Sequence, residues 1–131
     1  MAETGLQVEL VAADRVVWSG EATIVVARTI EGDVGILANH APMLAVLAQG
    51  TVEVTTTESK TLVAFVDSGF LSVAGNRVSI LSEHAQLSDE IDLETAKGDL
   101  ERARSAGQDD GEAAEAAALA QAKIRAVERA S

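Results

Sequence analysis

The sequence changes character at about residue 87, and this change constrains the fold more than any other feature. Before it, short runs rich in β-branched residues alternate in polarity, as in LQVELVA, where one face carries Leu6, Val8 and Leu10. After it, Ala, Glu, Asp, Lys and Arg dominate, which is typical of helices. The sequence therefore predicts a β domain over residues 1–87 and a helical domain over residues 88–131.

Turn residues in the first segment indicate how its strands are connected. Gly, Asn or Asp recurs about every eight to twelve residues, which is typical of an antiparallel sandwich or barrel of about eight to ten short strands. VAGNRV predicts a tight hairpin, because Gly75 and Asn76 tolerate the positive φ of a primed turn.

The second segment predicts two antiparallel helices that form a hairpin. Asp92 caps a first helix over 93–106, and Asp109 with Glu112 resembles a capping box at the start of a second helix over 111–130. Small side chains dominate both apolar stripes, which are Leu93, Ala96, Leu100 and Ala103 in the first helix, and Ala113, Ala117, Ala120, Ile124 and Val127 in the second. Alanine buries little apolar area, so we expect a weakly attached hairpin. Such a hairpin either moves as a switch or simply covers a sheet face.

Composition and charge exclude several classes of function. The net charge of -11 disfavours binding to nucleic acid or to an anionic membrane surface. The apolar run MLAVLA is too short to span a bilayer, and the N-terminus lacks a basic segment followed by an apolar one. We therefore expect a soluble intracellular protein with no direct membrane insertion.

Catalytic and metal-binding motifs are missing from the sequence. With two histidines, His40 and His84, and no cysteine, a zinc site is not expected. No nucleophile elbow, phosphate loop or dinucleotide fingerprint occurs, and a triad of Ser68, His40 and Asp67 has no support from its spacing. The sequence favours a protein that is not an enzyme.

The stretch GDVGILANHAPM, residues 32–43, contains the only proline of the chain. We interpret it as a loop in which Gly32 and Gly35 let the chain turn and Pro42 fixes φ near -65°. A loop held in one shape is suited to docking on a partner, although an ordinary turn without a partner would use the same residues.

Three separated motifs resemble one protein family. GDVGILANHAPM, DSGFLSVAGNRVSILSEHAQ and EIDLETAKGDLERA occur in that order over essentially the whole chain. They are similar to the signatures of the epsilon subunit of bacterial F-type ATP synthases. The resemblance implies a roughly ten-stranded β-sandwich followed by the helix hairpin, in a non-catalytic rotor subunit at the cytoplasmic side of the cell membrane.

The resemblance also implies partners for the sandwich, namely the gamma subunit and the membrane rotor ring. Asp33 and His40 would face polar loops of the ring, within a contact loop that comprises Gly32, Asp33, Val34, Gly35, Asn39, His40, Ala41 and Pro42. Ile36, Leu37 and Met43 would anchor this loop to the core. Asn39 stands where the family often has glycine, and asparagine tolerates the left-handed conformation.

For the hairpin, the resemblance implies a regulatory role. It would lie compactly on the sandwich or rise along gamma into the catalytic alpha/beta head and block ATP hydrolysis. Lys123, Arg125 and Arg129 would then contact acidic segments of the catalytic subunits, although cations near a helix C-terminus also complement the helix dipole.

Some family members bind ATP through an Ile-Asp-x-x-Arg-Ala motif. Here Ile91, Asp92 and Ala96 match the motif, but Thr95 replaces its arginine, so we expect no bound cofactor. The alternative to a rotor subunit is a stand-alone β-sandwich binding module with the helices as a lid. Capture of the gamma and ring subunits would distinguish the two.

Overall fold

The computed structural model describes residues 5–106 and 111–130. In these residues eight strands precede a 3-10 turn and two helices. The elements are β1 (Leu6–Ala12), β2 (Arg15–Thr29), β3 (Gly32–Leu37), β4 (Met43–Thr56), β5 (Thr61–Val66), β6 (Gly69–Ala74), β7 (Arg77–Ser82), β8 (Ala85–Leu87), the 3-10 turn (Ser88–Glu90), α1 (Leu93–Ser105) and α2 (Gly111–Ala130).

The strands pair in the order β3-β2-β1-β7-β6-β4-β5-β8, and an additional pairing of β2 with β4 closes the structure. All pairs are antiparallel except β1 with β7. The predicted Gly75–Asn76 hairpin is confirmed, with φ of 55° and 61° between β6 and β7.

The eight strands lie within the eight to ten predicted from the residue pattern, whereas the roughly ten strands implied by the resemblance are slightly too many. The difference arises because β2 and β4 are long and each contributes to both sheets of the sandwich. The early part of β2 pairs with β1 and its later part with β3, while β4 pairs first with β6 and then with β5. The first sheet contains early β2, β1, β7, β6 and early β4. The second sheet contains β3, late β2, late β4, β5 and β8. Eight strands thereby supply five strand segments to each sheet.

Aliphatic side chains fill the space between the two sheets. The predicted alternation in β1 is confirmed, since Leu6, Val8 and Leu10 are all buried in this core. The core cluster also includes Val25, Ile36, Leu47, Val52, Val66, Leu71, Val73, Val78 and Ile80.

Strand β5 is buried on both faces, and this positions the helices. Ala64 and Val66 belong to the core between the sheets, whereas Val63 and Phe65 form a second cluster with Ala122 of α2. Helix α2 therefore packs on the outer face of the second sheet, over β5 and β4, and α1 packs on α2.

The predicted helices are confirmed, with α1 ending one residue earlier than expected. Asp92 is the N-cap of α1, while the predicted capping residue Asp109 lies outside the described residues. In α2 the predicted stripe includes the buried Ala113 and Ala120, but Ala122 and Ala126 are also buried. They lie on a second apolar face of α2, which contacts the sheet.

Candidate functional site

The predicted ring-contact loop is largely a strand. Gly32–Leu37 forms β3, the edge strand of the second sheet, so the interpretation of these residues as a loop was wrong. Gly32 has a φ of 122°, as a turn requires, but Gly35 lies within the strand and makes no turn. Val34 packs against the sandwich core and Ile36 is fully buried in it, so alternate positions of β3 face inward. A strand forms because this alternation buries apolar side chains.

Strand β3 separates the predicted ring-contact residues into two groups. Gly32 and Asp33 lie at one end of the sandwich, and Asn39, His40, Ala41 and Pro42 lie beyond the other end of β3. Six residues of strand span about 20 Å. Asp33 Oδ1 lies 3.4 Å from Arg28 Nε on the neighbouring strand, with both side chains exposed. The structure therefore does not bring Asp33 and His40 together.

The connection between β3 and β4 is held by the β6–β7 hairpin. Asn39 has a φ of 69°, which confirms its left-handed conformation. Its backbone N–H donates to Asn76 Oδ1 at 2.5 Å, and Asn76 Nδ2 donates to Asn39 Oδ1 at 3.4 Å. Met43 packs against the core as expected, but Leu37 is 58% exposed, so its predicted anchoring was wrong. Leu37 follows the inward-facing Ile36 and so faces outward.

The outer face of the first sheet carries a row of five apolar side chains, of which Val11 is half-buried and the other four are exposed. Register partners across neighbouring strands connect Val46, Phe70, Leu81, Val11 and Val16 in that order. We call these five residues the apolar row. Phe70 is 54% exposed, and Leu44, two residues before Val46, is 75% exposed. Sequence reasoning missed this surface, although the adjacent Phe70 and Leu71 signal a strand that is apolar on both faces.

A shallow depression of about 550 Å³ lies beside Phe70 in the apolar row. Gly69 shapes it, because a Cβ atom at this position would lie 1.8 Å from the Leu81 carbonyl oxygen. Glycine is therefore required where β6 approaches β7. The depression offers a partner a concave site next to an exposed aromatic ring.

The interface between α2 and the sandwich contains few large side chains. Val63 and Phe65 pack against Ala122 and Ala126, with Leu119 and Ile91 at the margin. Two of the three predicted regulatory cations contact the sandwich here: Lys123 Nζ lies 5.9 Å from the centroid of the Phe65 ring, and Arg129 Nε donates to Glu53 Oε2 at 2.9 Å.

The third cation, Arg125, is exposed and makes no hydrogen bond or ion pair within the described residues. It lines a groove of about 390 Å³ between α2 and the second sheet. Arg28 and Asp33 line the same groove, so the start of β3 lies close to the C-terminal part of α2.

An ion pair that the sequence did not reveal connects the sandwich to the start of the hairpin. Arg15 Nη1 and Nη2, at the start of β2, donate to the two carboxylate oxygens of Glu90 at 3.0 Å each. Glu90 also accepts a hydrogen bond from the Leu87 backbone N–H at 3.0 Å. The hydrogen bond from Arg15 is the main cause that lowers the pKa of Glu90. The same hydrogen bond is the main cause that raises the pKa of Arg15.

The residues of the nucleotide motif have structural roles. Ile91 packs against the cluster around Phe65, and Ala96 is buried. Asp92 Oδ1 accepts a hydrogen bond from the Thr95 backbone N–H at 3.2 Å, and this interaction lowers the pKa of Asp92. The residue that replaces the motif arginine is thus the capping partner of Asp92. The expectation of no bound ATP stays a prediction.

Within residues 5–106 and 111–130, no group of three or more acidic, histidine or cysteine side chains is positioned to hold a metal ion. Neither helix in these ranges combines the length and the apolar character that crossing a lipid bilayer requires.

Comparison with known proteins shows the family. The model of the ATP synthase delta/epsilon chain β-sandwich domain matches residues 5–88. The chain belongs to this family. The ATP synthase epsilon chain of Streptomyces avermitilis is 51% identical over 122 residues, which cover 93% of this chain and 94% of the relative. The epsilon chain of Rhodococcus jostii is 46% identical over 126 residues, covering 95% and 98%.

Solved structures agree with this family membership. A chain in the cryo-EM structure of Euglena gracilis mitochondrial ATP synthase (OSCP/F1/c-ring) matches with a TM-score of 0.79 at 26% identity. The match covers 98% of this chain and 82% of that chain. A chain in the Tetrahymena thermophila central stalk and c-ring structure, with a TM-score of 0.57 at 15% identity, shows the fold alone.

These findings confirm the resemblance to the epsilon chain family and the fold of a β-sandwich with a helix hairpin. They also confirm the prediction of a non-catalytic subunit of an ATP synthase. The ring contacts, the hairpin contacts and the absence of a cofactor stay predictions.

Proposed function

We propose that this chain is a rotor subunit of the central stalk that couples the gamma subunit to the membrane rotor ring and restrains ATP hydrolysis through its hairpin. It would lie at the cytoplasmic side of the membrane, held there by its partners. Relatives named as epsilon chains of ATP synthases and the match to a chain of an F1/c-ring complex support this proposal.

The apolar row carries the proposal of a gamma-binding face. Helix α2 covers β4 and β5 on the outer face of the second sheet, whereas the apolar row, with four of its five side chains exposed, lies on the outer face of the first. A contiguous exposed apolar patch marks an interaction site, and aromatic side chains often contribute most of the binding energy. Phe70 beside the depression at Gly69 is therefore the expected centre of the contact with gamma.

For the rotor ring, the geometry favours the edge of β3 that pairs with no strand among the described residues, together with the connection that follows it. Asp33 and the group from Asn39 to Pro42 lie at opposite ends of this edge, so a ring contact that includes both would extend along the whole strand. The hydrogen bonds between Asn39 and Asn76 would keep the second group in one shape during rotation.

The docked hairpin supports a regulatory role, because its attachment is thin. Ala122 and Ala126 bury little apolar area, and Lys123 and Arg129 make their contacts with the sandwich only while α2 is docked. Release of the hairpin would free these two cations for acidic segments of the catalytic alpha/beta head. Lys123 and Arg129 would then contact the sandwich in the docked state and the catalytic head in the released state.

A binding experiment tests the gamma face. We expect Phe70→Asp to weaken capture of the isolated gamma subunit at least about tenfold, because a charge would be buried in an apolar contact. Leu37→Asp is the matched control, since it introduces the same charge at an exposed apolar residue outside the apolar row. Unchanged capture by Phe70→Asp, or an equal loss with the control, would overturn this assignment.

Deletion of residues 88–131 in the assembled complex tests the regulatory part. We expect the sandwich to remain folded, because its core lies between the two sheets, and the rate of ATP hydrolysis to increase. Hydrolysis at the rate of the full-length complex would contradict the regulatory role of the hairpin. It would not contradict the proposed coupling of gamma to the rotor ring.

A further inference from the structure

The connector between the two domains, Ser88 to Asp92, is the covalent link through which the hairpin leaves the sandwich. Glu90 lies in the middle of this connector, and Arg15 belongs to the sandwich 75 residues earlier. Both carboxylate oxygens of Glu90 are engaged by the guanidinium group in two parallel hydrogen bonds of 3.0 Å. This forked geometry fixes the direction of the side chain as well as its distance.

A third hydrogen bond makes the position of Glu90 specific. The Leu87 backbone N–H, at the end of β8, donates to the same carboxylate. One side chain therefore joins the start of β2, the end of β8 and the 3-10 turn. The lowered pKa of Glu90, caused first by Arg15 and then by Leu87, agrees with a carboxylate held in its charged form.

The position of the connector affects the docking of α2, because the residue after Glu90 is part of the docking interface. Ile91 packs against the cluster of Val63, Phe65, Ala122 and Ala126, and the 3-10 turn lies against both α2 and β5. Since alanines form most of the helix side of this interface, small changes in the path of the connector alter a large fraction of its contacts.

We propose that the ion pair of Arg15 and Glu90 is a clamp. It holds the connector in the position in which α2 packs on the sheet, and it thereby sets the fraction of molecules with a docked hairpin. The inference rests on the proposed regulatory function of the hairpin. Arg15 and Glu90 are positioning residues. Their side chains are 42% and 36% exposed, so the pair contributes little to the stability of the whole fold and acts on the local docking equilibrium.

Amide hydrogen exchange of the full-length chain tests the clamp. In Arg15→Ala and in Glu90→Gln, we expect the amides of Ala122 and Ala126 to exchange roughly two- to fivefold faster, the range of an exposed ion pair. The double variant should show no further acceleration, because each substitution already opens the same pair. Arg77→Ala, which removes another exposed arginine of the sandwich, is the matched control and should leave α2 unchanged.

Core amides such as those of Val25 and Val52 provide an internal reference, since faster exchange there would indicate loss of the whole fold. With that reference unchanged, unaltered exchange in α2 of Arg15→Ala overturns the clamp, and additive acceleration in the double variant does so too. Faster exchange in α2 combined with unchanged ATP hydrolysis in the assembled complex supports the clamp and overturns the regulatory function. Faster exchange with increased hydrolysis supports both.

Discussion

The two faces of β5 belong to interfaces of different strength. Its inward residues, Ala64 and Val66, meet Val, Leu and Ile side chains from both sheets, whereas its outward residues, Val63 and Phe65, meet alanines of α2. Burial of a Val, Leu or Ile side chain contributes about 1.5–3 kcal/mol, and an alanine contributes much less. One strand therefore anchors a permanent core on one side and a weakly attached helix on the other.

Charged contacts also distinguish the two interfaces. The docking of the hairpin is supplemented by Lys123 over the Phe65 ring, by Arg129 with Glu53 and by Arg15 with Glu90. The core between the sheets is aliphatic. Ser82, one of two buried polar residues among those described, donates a hydrogen bond to the Ser68 carbonyl oxygen at 2.8 Å. Exposed charges are easily exchanged for water or for another protein, so the weaker interface is the one suited to reversible movement.

The largest effect is expected in the permanent core. Leu71→Ala should lower the free energy of unfolding by about 2–5 kcal/mol, because Leu71 is fully buried between the sheets and a cavity would remain. Chemical denaturation of the full-length chain measures this loss. Leu44→Ala, at a side chain that is 75% exposed, is the control and should change stability little.

Phe65→Ala should have a smaller effect on global unfolding than Leu71→Ala, even though phenylalanine is larger. Because α2 is weakly attached, it leaves the sheet instead of enclosing a cavity. The loss of stability is then limited to the free energy of docking. We expect the amides of α2 to lose their protection against exchange while those of Val25 and Val52 keep it. An equal loss of global stability in a single transition would break the comparison between the two interfaces.

Arg129→Ala should weaken docking by about 0.2–1 kcal/mol, the range of an exposed ion pair, and the effect should shrink as the salt concentration rises. Exchange of α2 amides at low and high salt measures it. Arg125→Ala offers a matched control four residues earlier on the same helix, because Arg125 makes no ion pair among the described residues. Equal effects of the two substitutions would argue against a specific contact with Glu53.

The smallest effect concerns the start of α1 and depends on pH. The pKa of Asp92 is lowered in the folded state by the Thr95 amide, so its contribution to stability is present above the ordinary value of 3.8 and lost as pH falls through the lower folded value. Helicity measured by circular dichroism between pH 6 and pH 2 should fall more in the wild type than in Asp92→Asn. Asparagine caps the helix without titrating in this range, so identical curves would contradict this role.

Local features of the fold were predictable from the sequence. The alternation in β1 placed Leu6, Val8 and Leu10 in the core, Gly75 and Asn76 predicted their hairpin, and Asp92 predicted the start of α1. Each of these features depends on residues that are close together along the chain. The conformational preferences of those residues do not change when distant segments pack against them.

The interpretation of residues 32–37 as a loop was wrong because it relied on local turn preferences alone. Gly32, Asp33 and Gly35 are common in turns, and this outweighed the alternation of Val34 and Ile36. The pairing of β3 with β2 decided the outcome, because a strand at this edge buries Ile36 and satisfies backbone hydrogen bonds. The energy of this strand pairing depends on β2. The local pattern of residues 32–37 contains no information about that segment.

With the exception of β3, the sequence by itself determined which segments are strands and helices. It also determined that the hairpin interface is poor in large side chains and which family the motifs resemble. The tertiary structure alone decided which side chains meet across long separations. Arg15 with Glu90 and Arg129 with Glu53 lie 75 and 76 residues apart, and the apolar row draws its members from β1, β2, β4, β6 and β7. Such contacts depend on strand order and register, which follow from the packing of the whole chain and not from any single stretch of it.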